Sequence, residues 1–130
     1  MNTILVPISP GELLDKITIL RIKAQRIDDA RKVVNVRYEL DLLEKTWREA
    51  NPDGIDLSRE ERELTAVNER LWVIEDDIRE EERGQRFGAR FIELARAVYF
   101  ENDERAAIKK RVNARLGSKI VEEKSYRDYR

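Results

Sequence analysis

Apolar residues recur at helical spacing through most of the chain. Leu13, Ile17, Leu20, Ala24 and Ile27 follow at intervals of four and three, which predicts one face of a helix from about Pro10 to Ile27. Ser9-Pro10-Gly11-Glu12 opens that helix, with Ser as N-cap, Pro at the first helical position and Glu three residues after the cap. Ile19 and Ile22 fall on the opposite side at about 100° per residue. A helix that is apolar on two sides needs a cover on two sides. In a chain of 130 residues the second cover is a candidate contact with another subunit.

The strictest stripe comes next. Val33, Val36, Leu40, Leu43, Trp47 and Ala50 alternate three and four apart and predict a second helix from about Arg31 to Ala50, with Tyr38 and Leu42 off the stripe. Asn51-Pro52-Asp53-Gly54 is a turn. Ser58 with Glu61 repeats the capping pattern and opens a third helix carrying Leu64, Val67, Leu71, Ile74 and Ile78, with Trp72 off its stripe. Gly84 and Gly88 bracket a turn, and a fourth helix runs from about Ala89 to Leu116, with Gly117 as its C-cap. Short connections make antiparallel neighbours. The expected fold is therefore all-α, an up-down helical bundle of about four helices in one domain, its last two helices forming a long hairpin. The ends are short and extended. Ile4 to Ile8 and Ile120 to Tyr126 are expected to pack side by side as a two-stranded cover over one end of the bundle, or to swap between subunits.

One break interrupts this pattern. Phe91, Leu94, Val98, Ile108, Val112 and Leu116 form the apolar face of the fourth helix, and Arg105 falls near the centre of that face. Glu101 and Asn102 flank it one turn earlier. An antiparallel hairpin closing near residues 84–88 sets Asn68 level with Asn102, Glu75 level with Arg96, and Glu60 and Glu61 level with Lys110 and Arg111. A charge in an apolar face must be paired or must reach water. Two arrangements satisfy that. One is a buried polar layer closed by an Arg105–Glu101 pair and amide hydrogen bonds, which fixes register at some cost in stability. The other is a pocket in which Arg105, with Lys109 or Arg96, grips the carboxylate or phosphate of a small anionic ligand, beside Glu101, Asn102 and Asn68.

Composition narrows the chemistry. There is no Cys and no His, which removes thiol nucleophiles, imidazole bases and nearly every zinc or iron site. Charged residues make up 41% of the chain, 26 basic against 27 acidic, so no bulk field draws it to nucleic acid or a membrane surface. Arg greatly outnumbers Lys, which suits ion-pair lattices and interfaces. The basic run from Arg105 to Lys119 spreads around its helix without interleaved aromatics, so nucleic-acid binding is the weakest of the options. The acidic run from Glu75 to Glu82 lacks a cation-binding loop and reads as a solvated helix face. Trp47 lies in the core stripe. No apolar run is long enough to span a bilayer, and the N-terminal residues do not resemble a secretion signal, so a cytoplasmic protein is expected. No catalytic residue, metal or cofactor is assigned.

Pro7 to Lys23 (P-I-S-P-G-E-L-L-D-K-I-T-I-L-R-I-K), Leu64 to Arg79, Phe91 to Asn113 and the tail from Gly117 to Tyr126, taken together, resemble a family of small bacterial proteins known only as a domain of unknown function. The resemblance covers most of the chain. It implies a bacterial, cytoplasmic-type protein and carries no activity, cofactor or catalytic residue. On these grounds the chain is expected to be an oligomeric interaction or accessory protein, a homodimer or larger, or the partner of another protein. Ile19, Ile22, Trp72, Tyr38 and Leu42 are its candidate interface residues. The alternative is an anion-binding bundle, with or without enzymatic activity.

Overall fold

The computed structural model of the protein describes residues 2–130. Four helices follow in order: α1 (Pro10–Arg26), α2 (Ala30–Ala50), α3 (Ser58–Arg83) and α4 (Ala89–Arg115). Each start has a local cause. The Ser9 hydroxyl accepts the Glu12 amide at 3.2 Å, and Pro10 supplies the preset backbone angle of a first helical position. The Asp29 carboxylate accepts the Arg31 and Lys32 amides and opens α2 only a few residues after α1 ends. In the next turn the Asn51 side chain bonds both the N–H and the C=O of Ile55, while Gly54 takes a left-handed φ of 65°. The start of α3 corrects an expectation. The Ser58–Glu61 capping box does not form, because Ser58 is already helical and donates its N–H to Asp56, while Glu61 is drawn to Arg21.

α3 and α4 form the expected antiparallel hairpin, held along its flank by ion pairs. Asp77 meets Arg90 at 3.3 Å, Glu101 meets Arg70 at 2.9 Å, Glu63 meets Arg111, and Glu60 meets Arg115 at 3.1 Å. Towards the open end the register runs about one turn beyond the level expected for Glu60.

α1 is the centre of the molecule. It packs against all three other helices, whereas the backbone of α2 comes close to that of α1 alone. Leu13, Ile17 and Leu20 meet Leu40, with Val36, Leu43 and Trp47 beside them. On the other side Leu14 joins Leu57, Leu64, Ile108 and Val112. Trp47 and Ile55 close the end where the two clusters meet. The second apolar side of α1 is thus covered from within the chain at Ile22, while Ile19 stays half-buried. Ile22, expected at an interface, is only 3% exposed, because α3 and α4 enclose the side of α1 that it occupies. Contact is closest at Gly11, whose N–H donates to Asn113 Oδ1 at 2.7 Å. A Cβ there would overlap the backbone carbonyl of Lys109.

The chain ends also differ from expectation. No strand forms among the described residues, and Ile4, Leu5 and Val6 are exposed, as are Val121 and Tyr126. The C-terminal tail instead lies back along α4. Glu122 reaches Lys109 at 3.0 Å, the Tyr129 hydroxyl donates to Asp103, and the Tyr129 ring packs edge-on against Tyr99 and Phe100. Aromatic and charge contacts with α4 replace strand pairing.

Candidate functional site

The second side of α1 is a stripe of Gly11, Asp15, Thr18 and Ile22, spaced four, three and four apart and buried throughout. Asp15 is fully buried, and the three helices around it satisfy its carboxylate completely. Arg105 Nε donates to Oδ1 and Oδ2 at 3.0 Å each, and Nη2 donates to Oδ2. Asn68 Nδ2 donates to Asp15 Oδ1 at 2.9 Å and to Thr18 Oγ1 at 3.1 Å. The Thr18 hydroxyl turns back to the Asp15 carbonyl at 2.8 Å. Lys109 stands 4.0 Å from Oδ2 and bonds Glu12 at 2.6 Å. Residues of α3 and α4 are therefore tied to a single carboxylate on α1. No buried side-chain polar atom among the described residues lacks a partner. This is the condition under which a buried charge is tolerated.

The electrostatics hold the layer in one charge state. Its hydrogen bonds to Asp15 keep the Arg105 guanidinium above its ordinary pKa, against the opposing effect of burial. Burial alone would push Lys109 down, but Glu12, Glu122 and Asp15 together hold it above the usual lysine value. Lys109 in turn holds the Glu122 carboxyl below the usual range. Both cations therefore stay protonated near neutral pH, so neither can serve as a general base there. Among the described residues no three acidic side chains converge to hold a metal ion.

Arg105, Asn68 and Asn102 do come together, with Asn102 Oδ1 at 3.4 Å from Arg105 Nη1. The expected Arg105–Glu101 pair does not form, because Asp15 takes the guanidinium and Glu101 turns outward to Arg70. Arg96 stands apart from the layer, on the outer surface of α4 over the Phe100 ring. Arg105 and Lys109 open onto different clefts. Arg105 lines a groove of about 420 Å³ with Ile19, Leu71, Trp72 and Asn102. Lys109 lines a cleft of about 320 Å³ beneath the C-terminal tail. Two expected interface residues, Ile19 and Trp72, thus share a groove with the polar layer, while Tyr38 and Leu42 lie far from it on the outer side of α2, 68% and 45% exposed. In the basic run, Arg105, Lys109, Arg111 and Arg115 are all ion-paired.

Asp15 was the residue that reasoning along the chain passed over. Its signal was present: a carboxylate within a regular stripe of Gly11, Thr18 and Ile22, on the side of α1 opposite its leucines.

Fold and layer together define an all-α protein built around a central helix and a closed ion-pair layer. The chain belongs to a family of unknown function, DUF6165, which matches residues 4–129. No curated protein and no solved structure matches it. No helix among the described residues is long and apolar enough to cross a membrane.

Proposed function

We propose that this protein works by binding protein, in the first place a second copy of itself, as an interaction or accessory subunit rather than as an enzyme. The observation that carries this reading is α2. Its backbone comes close to one helix only, and it leaves Val34, Tyr38 and Leu42 exposed at spacings of four on its outer side. Monomeric proteins seldom leave such a band uncovered. The closed state of the Asp15–Arg105 layer supports it, since a guanidinium held by both carboxylate oxygens is not waiting for a ligand. Multi-angle light scattering between about 5 and 200 μM, the range of weak complexes, is expected to give a mass rising from 15.4 kDa towards twice that value. A constant monomer mass over that range sinks the reading.

One feature favours a second reading, binding of a small anion. In the groove beside Trp72, Arg105 Nη1 has only its long bond to Asn102, and Lys23 lines the same groove, across from Arg79, which pairs with Glu75, and from Asp76. Titration with citrate and inorganic phosphate, followed by amide shifts at Trp72 and Asn102, tests it. Shifts that saturate below about 1 mM favour the anion site, and their absence removes it.

A further inference from the structure

Resting on that self-association reading, we infer that the outer face of α2 is the contact surface, and that it pairs antiparallel with the α2 of a second copy about a two-fold axis. The inner stripe of α2, Val33, Val36, Leu40, Leu43 and Trp47, faces α1. At about 100° per residue, Tyr38 sits diametrically opposite the middle of that stripe. Val34 and Leu42 lie one turn to either side of it. All three are exposed, Val34 and Tyr38 at 68% each. The α2 backbone comes close to neither α3 nor α4, so this outer band lies on the side of α2 away from the bundle.

Charge placement selects the occupant and its direction. Arg31 and Glu49 stand towards the two ends of α2, at the same angle around the helix and equally far from Leu40 at its midpoint. Both are exposed, and neither joins an ion pair within the chain among the described residues. Antiparallel pairing sets Arg31 of each copy against Glu49 of the other, at both ends of the contact. It also lays each Tyr38 against the opposite Leu42 and sets Lys45 opposite the uncharged Asn35. Parallel pairing would instead stack Arg31 on Arg31 and Glu49 on Glu49. The face is therefore complementary to itself in one orientation only, as an isologous interface requires. A single helix of 21 residues gives a contact about 30 Å long, smaller than a standard interface, so a weak, salt-sensitive dimer is expected.

Reciprocal charge reversal tests this. Arg31→Glu sets two carboxylates against each other at both ends of the contact, and Glu49→Arg sets two guanidinium groups against each other there. Each variant alone is expected to lose about tenfold or more in dimer affinity by analytical ultracentrifugation. An equimolar mixture of the two is expected to recover wild-type affinity, because every end contact in the heterodimer is again between opposite charges. Both positions are exposed, so circular dichroism melting of each variant at low concentration should match the wild type. Recovery on mixing cannot come from a general loss of folding. A wild type that dimerises while both variants dimerise equally well overturns the α2 surface and leaves self-association standing. A wild type that stays monomeric at 200 μM overturns both.

Discussion

α1 and α2 lie antiparallel against each other, and each carries apolar or uncharged residues outside its main stripe. Around α1 the chain closes on most sides, with Lys16, Gln25 and Arg26 left exposed. One side meets α2, the other meets α3 and α4, and eight of its seventeen residues are buried. Around α2 the chain stops halfway, and Leu40 is its only fully buried residue. The difference lies in what the second side is made of. On α1 it is a small glycine, a carboxylate and a threonine, which allow close approach and offer hydrogen bonds that α3 and α4 answer with Asn68, Arg105 and Asn113. On α2 it is Val34, Tyr38 and Leu42 among free charges, which suit a surface that nothing in the chain supplies. The small and polar residues off the main stripe of α1 thus make an inner contact, while the large apolar ones off the main stripe of α2 stay exposed.

The contrast can be broken first at the ion-pair layer. Arg105→Ala leaves the fully buried Asp15 carboxylate with Asn68 as its remaining close donor. The expected loss is about 3 kcal/mol in urea unfolding, the low end for a broken buried pair, since Arg105 keeps partial exposure. Replacing Asp15 with Leu and Arg105 with Met together should recover much of that loss, because an apolar pair avoids the desolvation of both charges. A neutral Arg105→Ala would mean that the layer is not closed in solution, and α1 would then resemble α2.

Two leucines on α2 sharpen the comparison within one helix. Leu40→Ala removes a core side chain and should cost about 2–4 kcal/mol. Leu42→Ala, two residues on, should cost within about 0.5 kcal/mol at concentrations where the protein is monomeric. Equal losses would show that the outer face is covered in the single chain.

The smallest effect separates two helix starts. Ser9→Ala should destabilise by about 1 kcal/mol, since the hydroxyl satisfies an otherwise free amide of α1. Ser58→Ala should change the thermal midpoint less, because the corresponding contact is made by its backbone N–H to Asp56 and survives the substitution. The reverse order would place the start of α3 at Ser58 as a cap.

Periodicity, turn residues and caps were enough to locate four helices and the antiparallel α3–α4 hairpin, because these depend on spacing along one segment or on short connections. They also singled out Arg105, since a guanidinium in the middle of an apolar face is a local contradiction visible in the order of residues. Its partner was not visible. Glu101 had the right sign and helical spacing, yet it turns out to Arg70 while Asp15 takes the guanidinium. Pairing across 90 residues of chain depends on how closely α1 settles against α4, and that is set by Gly11 admitting the Lys109 carbonyl. The chain ends tell the same story: Ile4–Ile8 and Ile120–Tyr126 have strand-like composition, but Tyr129 finds Tyr99, Phe100 and Asp103 on α4 and draws the tail there instead. Sequence alone determined which segments are helical and which residue could not be left unpaired in the core. Tertiary structure alone decided which carboxylate answers it and which helix is left with an open face, because both follow from the distance and order of approach between helices, which no local pattern encodes.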